Sequence, residues 1–387
     1  MADAEQVPES IADLLPSFHV LRLPMVTRFR GITEREIMVF EGPHGWAEFS
    51  PFTEYGVPES SRWLRAALEF AGVLPGSARP SGSAQPPETQ PLETQAPGTQ
   101  PPGPSGAARA DTDAPEQSIA VNATLPSCAT SDVEGILARY GRVGTVKAKV
   151  AEHGIDSLPD DLERLQEFRR LFPDTRLRLD ANAGYSPTDA LTACAEFASF
   201  DLQYFEQPVA GVEDLAHLRE QLSDRGLPVV LAADESIRKA EDPLRVAELG
   251  AAEVVIVKVQ PLGGIAAARS VLEACGLPAV VSSALESSVG LAAGAELAAS
   301  LPRTRHSREI LGEHPACGLG TVRLFAEDVV SPDLSLKPVD GEIPVRRVVP
   351  DPRSLERLAV DSGRLDWWST RLQACWSALR PTLNSRC

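Results

Sequence analysis

The sequence of 387 residues lacks an apolar run long enough to form a membrane span. Such a span needs about 20 consecutive apolar residues, and polar or charged residues interrupt every apolar stretch well before that length. Residues 1–16 are acidic and have neither the basic nor the apolar region of a secretory signal. We therefore expect no membrane span and no signal peptide, and we assign residues 1–16 to a disordered N-terminus.

Cysteine and basic residues are also scarce. The six cysteines are scattered, with no CxxC pair and no metal-ligand spacing, as is typical of reduced thiols in a cytoplasmic protein. The chain has 37 Lys and Arg against 54 Asp and Glu, which gives a formal net charge of −17. A nucleic-acid-binding protein needs a basic surface for phosphate contacts. The charge balance therefore argues against nucleic acid as a partner.

One segment, residues 75–117, consists mainly of Pro, Gly, Ser, Thr, Gln and Ala and contains almost no large apolar side chain. Such a composition cannot bury enough surface to offset the loss of chain entropy, so we predict that the segment is disordered. The simplest interpretation is an insertion in a surface loop, because long loops cost little free energy. A linker or an interaction tail is the alternative.

The regions at the two ends of the chain predict one small α+β unit. Residues 17–74 contain three short strand patterns and then an amphipathic helix, with Ser60 or Ser61 as the expected N-cap. This unit is too short to be a large domain alone. The C-terminal segment, residues 331–387, contains three tryptophans that need burial. We expect it to pack on the N-terminal unit. The three tryptophans are Trp367, Trp368 and Trp376.

Between them, residues 118–330 alternate between strand and helix patterns, with eight strand candidates separated by seven helical periods. This alternation predicts an α/β fold, a (β/α)7β modified TIM barrel with an N-terminal α+β capping domain that the C-terminal segment completes. An open, doubly wound sheet is the alternative. Such a sheet would normally place a Gly-rich phosphate turn after its first strand, whereas TLPSCATSD follows here. The eighth strand candidate, GTVRLFA, is the weakest.

Charged side chains recur once in each unit, near the ends of five successive strand candidates. They are Lys147 and Lys149, then Asp180, then Glu206, then Asp234, and then Lys258. The carboxyl ends of barrel strands meet at one face, where active sites form. A lone Asp after a strand is usually a helix N-cap, but a set in phase with the repeat indicates a site. Glu235, one position out of phase, is expected to be structural.

Three carboxylates without His or Cys favour a hard cation such as Mg²⁺ or Mn²⁺. Such an ion can bind a substrate carboxylate and stabilise the charge that develops when the adjacent carbon loses its proton. The base must then be a neutral amine. A nearby cation and a second ammonium both lower the pKa of a lysine, which favours Lys149 as the base, with Lys258 across the site. The predicted reaction is proton abstraction α to the carboxylate of a small molecule.

These motifs also resemble a known family. Five strand-end motifs are similar to those of the muconate-lactonising branch of the enolase superfamily. They are KAK, LDANAGY, FEQP, ADES and VIVKVQPLGG. Two further segments more narrowly resemble the actinobacterial o-succinylbenzoate synthase family. They are RFRGITEREIMVFEGPHGWAEFSPFTEY and PVRRVVPDP. The resemblance implies three Mg²⁺ ligands, two catalytic lysines and one supporting lysine. The implied Mg²⁺ ligands are Asp180, Glu206 and Asp234. The implied catalytic lysines are Lys149, which is the acid/base lysine, and Lys258. The supporting lysine is Lys147.

The resemblance implies an activity as well. Members of the family dehydrate 2-succinyl-6-hydroxy-2,4-cyclohexadiene-1-carboxylate to 2-succinylbenzoate, through an enediolate, in menaquinone biosynthesis. The insertion at 75–117 departs from the family pattern. Substrate contacts are expected from the capping loop around Arg28, Phe29, Arg30 and Gly31.

Three alternatives remain at this stage. The first keeps the barrel and changes the substrate, giving an N-acylamino acid racemase, a dipeptide epimerase or a muconate cycloisomerase. The second is a Schiff-base aldolase that uses Lys258, and it leaves the three carboxylates unexplained. The third is a non-catalytic interaction protein that binds through the 75–117 segment.

Overall fold

The structure, a computed structural model, describes residues 8–29, 31–74, 117–238 and 243–384. The segment predicted to be disordered, 75–117, lies outside the described residues except for Gln117. Residues 1–7 also lie outside them. Within the expected disordered N-terminus, residues 11–13 form a short 3-10 helix, and Ile11 and Leu15 are buried. The predicted disorder is therefore wrong for residues 8–16, because these two apolar side chains anchor the segment.

The N-terminal unit is an antiparallel sheet followed by a helix. Strands β1 (His19–Phe29), β2 (Ile32–Gly42) and β3 (Gly45–Phe49) pair in that order, and α1 (Val57–Phe70) follows. The N-cap of α1 is Gly56, not Ser60 or Ser61. The helix begins earlier than predicted because Pro58 stands in its first turn, where the fixed φ of proline suits a helix start.

The central unit is a curved parallel sheet. After β4 (Ser118–Ala120), its seven strands are β5 (Ala123–Leu125), β6 (Thr145–Lys149), β7 (Arg176–Asp180), β8 (Leu202–Glu206), β9 (Leu231–Ala233), β10 (Val254–Val257) and β11 (Ala279–Val281). They lie side by side in chain order, and every neighbouring pair is parallel. This is the order of a barrel and not of a doubly wound sheet. The predicted fold class is confirmed.

The eighth strand of the barrel differs from the prediction. The candidate GTVRLFA contains a 3-10 helix, Thr321–Leu324. The ring is closed earlier in the chain by two isolated parallel bridges, Val121 with Cys317 and Ser282 with Gly318. The prediction was wrong because a short apolar run fits a helical turn as well as a strand.

Helices connect the strands. They are α2 (Val133–Ala138), α3 (Leu158–Leu171), α4 (Pro187–Phe197), α5 (Val212–Asp224), α6 (Glu235–Arg238), α7 (Arg245–Glu248), α8 (Val259–Leu262), α9 (Ile265–Cys275), α10 (Ser288–Ala299) and α11 (Arg305–Leu311). The seven predicted helical periods correspond to α2, α3, α4, α5, α7, α9 and α10. The short helices α6, α8 and α11 were not predicted.

The C-terminal segment forms β12 (Glu342–Pro344), α12 (Pro352–Arg357) and α13 (Ser362–Asn384). Strand β12 pairs with β4, and α13 packs on α1. Trp368 is buried against Phe49, and Trp376 is buried as well. The expected burial is wrong for Trp367, which is 38% exposed. The guanidinium of Arg364, 3.9 Å from the ring centroid, covers only part of this side chain.

None of the helices in the described part of the chain combines the length and the apolar composition that crossing a bilayer requires.

Candidate active site

Hydrogen bonding between the barrel strands aligns three of the predicted site residues. Lys149 on β6 is in register with Asp180 on β7, and Asp180 is in register with Glu206 on β8. Asp234 directly follows β9, and Lys258 directly follows β10. The five residues therefore stand at the carboxyl ends of five consecutive strands, where parallel strands present side chains to one face.

Lys147 lies between two of the carboxylates. Its Nζ is 3.0 Å from Oδ2 of Asp180 and 3.0 Å from Oε2 of Glu206. All three side chains are buried. Burial opposes the charged form of Lys147, but the two carboxylates outweigh it and hold its pKa well above the usual value. Asp180 and Glu206 therefore face one point, which the ammonium group of Lys147 occupies.

Lys149 reaches the same carboxylate from the other side. Its Nζ is 2.5 Å from Oδ2 of Asp180 and 2.7 Å from Oδ1 of Asn182. Its pKa is lowered, first by burial and then by the neighbouring Lys147 ammonium, against the attraction of Asp180. The second ammonium was predicted to lower this pKa, but burial is the larger cause.

Asp234 is held by two cations. Nζ of Lys258 lies 2.5 Å from its Oδ2, and Nε of Arg238 lies 3.1 Å from its Oδ1. Burial opposes ionisation of Asp234, but Lys258 and Arg238 lower its pKa below the usual value. Arg238 also donates to Glu235, which supports a structural part for Glu235. Arg238 was not predicted, although its spacing of four residues from Asp234 on a helical turn indicates such a contact.

The three carboxylates have the chemistry that a hard divalent cation prefers, since they are oxygen donors. Burial, and then repulsion from Asp180, raise the pKa of Glu206 to about 8, so added positive charge would stabilise the ionised set. Among the described residues, no group of three or more His, Cys, Asp or Glu side chains is gathered tightly enough to enclose an ion. Three oxygen donors without His or Cys would suit Mg²⁺ as candidate ligands.

Several strand ends turn through the left-handed region of φ. Ala151, Asn182, Gln207 and Leu285 have φ of 63°, 45°, 41° and 61°. Each such residue costs about 1–3 kcal/mol and persists only where its surroundings fix it. The side-chain oxygen of Gln207, for example, accepts hydrogen bonds from the backbone N–H groups of Asp234 and Ser236. The mouth of the barrel is therefore held by side chains as well as by strand pairing.

A buried ion pair lies behind Lys149. Arg164 and Asp161, one turn apart on α3, pair with side chains that are 2% and 1% exposed. Arg164 also donates to the carbonyl oxygen of Lys149 at 2.7 Å, and Asp161 accepts from the backbone N–H of Ala151 at 2.8 Å. The pair thus fixes the carbonyl group of the last residue of β6 and the backbone two residues beyond it.

The lysines and Asp180 line one cavity whose other walls the sequence did not predict. These walls comprise Phe52, Ser283, Ala284, Leu285, Gly318 and Thr321. The hydroxyls of Ser283 and Thr321 lie 2.7 Å apart. A larger crevice of about 500 Å³ contains Pro278 and Ala279, at the start of β11, and therefore lies at the opposite end of the barrel. Since none of the predicted site residues lines this crevice, the chemistry points to the smaller cavity.

The capping-loop prediction falls mostly outside the described residues, which do not include Arg30 or the side chains of Arg28 and Phe29. Gly31 is an exposed turn residue with φ of 81°. Among the described residues of the N-terminal unit, Phe52, which follows β3, lines the cavity.

Comparison with known proteins agrees with the fold. The family model described as enolase C-terminal domain-like matches residues 130–347, and the one described as enolase N-terminal domain-like matches residues 20–71. The chain is 42% identical over 373 residues to the o-succinylbenzoate synthase of Mycobacterium marinum, over 96% of this chain and 97% of that protein. The chain belongs to the o-succinylbenzoate synthase family of the enolase superfamily.

A second member of this family, from Mycobacterium tuberculosis, is also 42% identical, over 370 residues, 95% of this chain and 96% of that protein. Two solved structures share the fold. A muconate lactonizing enzyme from Pseudomonas fluorescens superposes with a TM-score of 0.63 at 16% identity, over 89% of this chain and 98% of that chain. The N-succinyl Arg/Lys racemase from Bacillus cereus superposes with a TM-score of 0.61 at 18% identity, over 89% and 97%.

Proposed function

We propose that this protein is a Mg²⁺-dependent hydro-lyase that converts 2-succinyl-6-hydroxy-2,4-cyclohexadiene-1-carboxylate to 2-succinylbenzoate and water. The observation that carries the proposal is the row of three buried carboxylates flanked by Lys149 and Lys258 in one chain that is 42% identical to named o-succinylbenzoate synthases. The reaction belongs to menaquinone biosynthesis, and the scattered cysteines support a cytoplasmic location.

Asp180, Glu206 and Asp234 would hold the metal. When bound, Mg²⁺ supplies positive charge for the substrate carboxylate and for the negative charge that develops as the adjacent C–H bond breaks. The three ligands stand on adjacent positions of the barrel, between the two lysines. A substrate carboxylate would therefore be bound beside this row of residues.

Lys149 takes the α-proton in its amine form. The resulting ammonium gives a proton to the departing hydroxyl group, so that water leaves, a carbon–carbon double bond forms and the ring becomes aromatic. Lys258, paired with Asp234, is the ammonium on the opposite side of the cavity and stabilises the developing charge. Lys147 keeps Asp180 and Glu206 together.

The test is an ultraviolet assay of the purified full-length chain with the cyclohexadiene substrate and Mg²⁺, with and without EDTA. Lys149→Ala should lower kcat by about 10²–10⁴-fold, which is the usual contribution of a general base. Lys337→Ala, a lysine outside the cavity, is the matched control and should retain wild-type turnover. Metal-independent turnover, or full activity of Lys149→Ala, would contradict the proposal.

A racemase is the second candidate, since an N-succinyl amino acid racemase shares the fold. Two lysines on opposite sides of one cavity can exchange a proton on either face of an α-carbon. If the cyclohexadiene is not turned over, deuterium exchange at the α-carbon of N-succinyl amino acids in D₂O tests this candidate. Exchange there would keep the site and change the substrate.

A further inference from the structure

Arg35 is a buried cation that the mechanism does not use. It lies on β2 in the capping domain and is 2% exposed. Its pKa is lowered to about 10 by burial, against the attraction of Glu48 and Glu286. Burying a guanidinium is costly unless its donors are satisfied, so its partners indicate what the residue is for.

The donors of Arg35 reach both domains. Nε donates to the carbonyl oxygen of Leu285 at 3.2 Å, and one terminal nitrogen donates to that of Ala284 at 3.4 Å. The same nitrogen donates to the carbonyl oxygen of Ser50. The planar fork of a guanidinium can serve several acceptors at once, which an ammonium cannot do in the same geometry.

The guanidinium also stacks on an aromatic ring. Its central carbon lies 4.1 Å from the ring centroid of Phe52. Phe52 and the segment Ala284–Leu285 belong to different domains, yet they line the same cavity as Lys149 and Lys258. Arg35 therefore contacts wall residues of this cavity in both the capping domain and the barrel, although it does not line the cavity itself.

The barrel wall needs such support. Leu285 has φ of 61°, a conformation that costs a branched residue free energy. Its carbonyl is held by Arg35, and the backbone N–H of Ala284 donates to the carboxylate of Glu286. Glu48 of the cap accepts from the backbone N–H of Ser287 at 3.0 Å. Cap side chains thus supply part of the hydrogen bonding that fixes the loop after β11.

We propose that Arg35 is a positioning residue that joins Phe52 to the Ala284–Leu285 wall and so sets the width of the substrate cavity. The inference rests on the proposed function, since the cavity is taken to hold the cyclohexadiene and its succinyl chain. Arg35 does not touch the reacting atoms. Its effect is on the fit of the substrate beside the lysines and not on proton transfer itself.

The chain offers a matched control in Arg347. Its guanidinium donates to the carbonyl oxygens of His44 and Phe70 at 3.0 and 2.7 Å and stacks on Phe70 at 3.6 Å. It also pairs with Glu296 of α10. Arg347 thus joins cap and barrel with the same kinds of contact, but it does not border the cavity.

The experiment compares Arg35→Met with Arg347→Met in the full chain with Mg²⁺. A misplacement of about 1 Å in a substrate-binding wall can cost about 10²-fold, so Arg35→Met should raise KM, and the Kd of the product 2-succinylbenzoate, by about tenfold or more. The affinity for Mn²⁺, measured by paramagnetic resonance, should not change. Arg347→Met should stay within about twofold of wild type in KM and in product Kd, even if both variants lose thermal stability.

Equal KM and equal product Kd in the two variants would overturn the inference. If Arg35→Met does not fold, Arg35→Lys takes its place, because it keeps the charge but cannot bridge the same carbonyls and stack on Phe52. A folded Arg35→Lys with wild-type KM would then overturn the inference. Failure of the proposed function is distinguishable, since it would appear as absence of turnover in the wild-type chain and in Arg347→Met.

Discussion

The side-chain nitrogen of Lys149 lies 2.5 Å from Oδ2 of Asp180, the residue with which Lys149 is in register across two neighbouring strands. The distance between the proposed base and the first proposed metal ligand is thus set by strand pairing. A shift of either strand by one residue would turn its own side chain to the opposite face of the sheet and separate the pair. The geometry of the site is therefore built into the register of β6 and β7.

Replacing the central carboxylate tests the proposed metal site. Glu206→Gln should weaken binding of Mg²⁺ by at least about 10–100-fold, since even outer partners of metal ligands contribute that much. The measurement is a Mn²⁺ titration followed by paramagnetic resonance, with Mg²⁺ as competitor. Glu213→Gln, on the exposed surface of α5, is the control and should bind as wild type does. Unchanged affinity in Glu206→Gln would remove Glu206 from the ligand set.

Two ion pairs on α3 provide a comparison of burial at equal spacing. Arg164 and Asp161 are buried, whereas the Arg170 side chain is 66% exposed in its pair with Glu167. Arg164→Met should lower the free energy of unfolding by about 3–5 kcal/mol, because it leaves an uncompensated buried charge. Urea denaturation checks this. Arg170→Met should show no measurable change, since water already screens its pair. Similar losses in both variants would show that burial is not the deciding factor.

Stability should depend on pH through Glu48. Burial, and then the neighbouring Glu286, raise the pKa of Glu48 from 4.5 to about 7 in the folded chain. The folded state therefore holds a proton that the unfolded state releases, and stability is lost as pH rises through this window. We define the gap as the difference in the free energy of unfolding between Glu48→Gln and wild type. As the pH rises from about 5 to about 8, this gap should shift in favour of the variant by at most ~3 kcal/mol.

Urea denaturation at the two pH values measures this gap. Glu41→Gln, an exposed carboxyl on the same strand pair, is the control, and its gap to wild type should be the same at both pH values. A Glu48→Gln gap that does not change with pH would show that Glu48 releases its proton equally readily in both states.

Two helical glycines should respond oppositely to a methyl group. A Cβ at Gly290 on α10 would lie 2.6 Å from Cβ of Glu286 and 2.9 Å from Cδ of Glu48, whereas one at Gly135 on α2 would meet nothing within 4 Å. Gly290→Ala should destabilise the protein by about 1–3 kcal/mol through overpacking. Gly135→Ala should stabilise it by about 0.5–1 kcal/mol through reduced chain entropy. Thermal unfolding monitored by circular dichroism separates the two, and stabilisation by both would contradict the close packing at Gly290.

The barrel, its cap and the clustering of the charged residues could be predicted because each follows from a local pattern. Period-two alternation places Lys147 and Lys149 on one face, and a fixed repeat returns one charge per strand. The family assignment rested on the same motifs and is confirmed. The roles of the six site residues stay predictions.

The remaining parts of the site depend on contacts between distant parts of the chain. Arg35 and Leu285 are 250 residues apart in sequence, and nothing in the pattern around either residue indicates the other. Phe52 follows a cap strand and resembles any buried aromatic residue. The eighth strand was misplaced for a related reason, since two isolated bridges leave almost no periodicity in the sequence.

The left-handed strand ends at Ala151, Asn182, Gln207 and Leu285 have a consequence for engineering this protein. Strained turns at a functional site are the positions where a gain in stability and a loss of activity are most closely coupled. A programme to raise the melting temperature should leave these four turns unchanged. The amino-terminal end of the barrel, away from the lysines, is where stabilising substitutions carry the least functional cost.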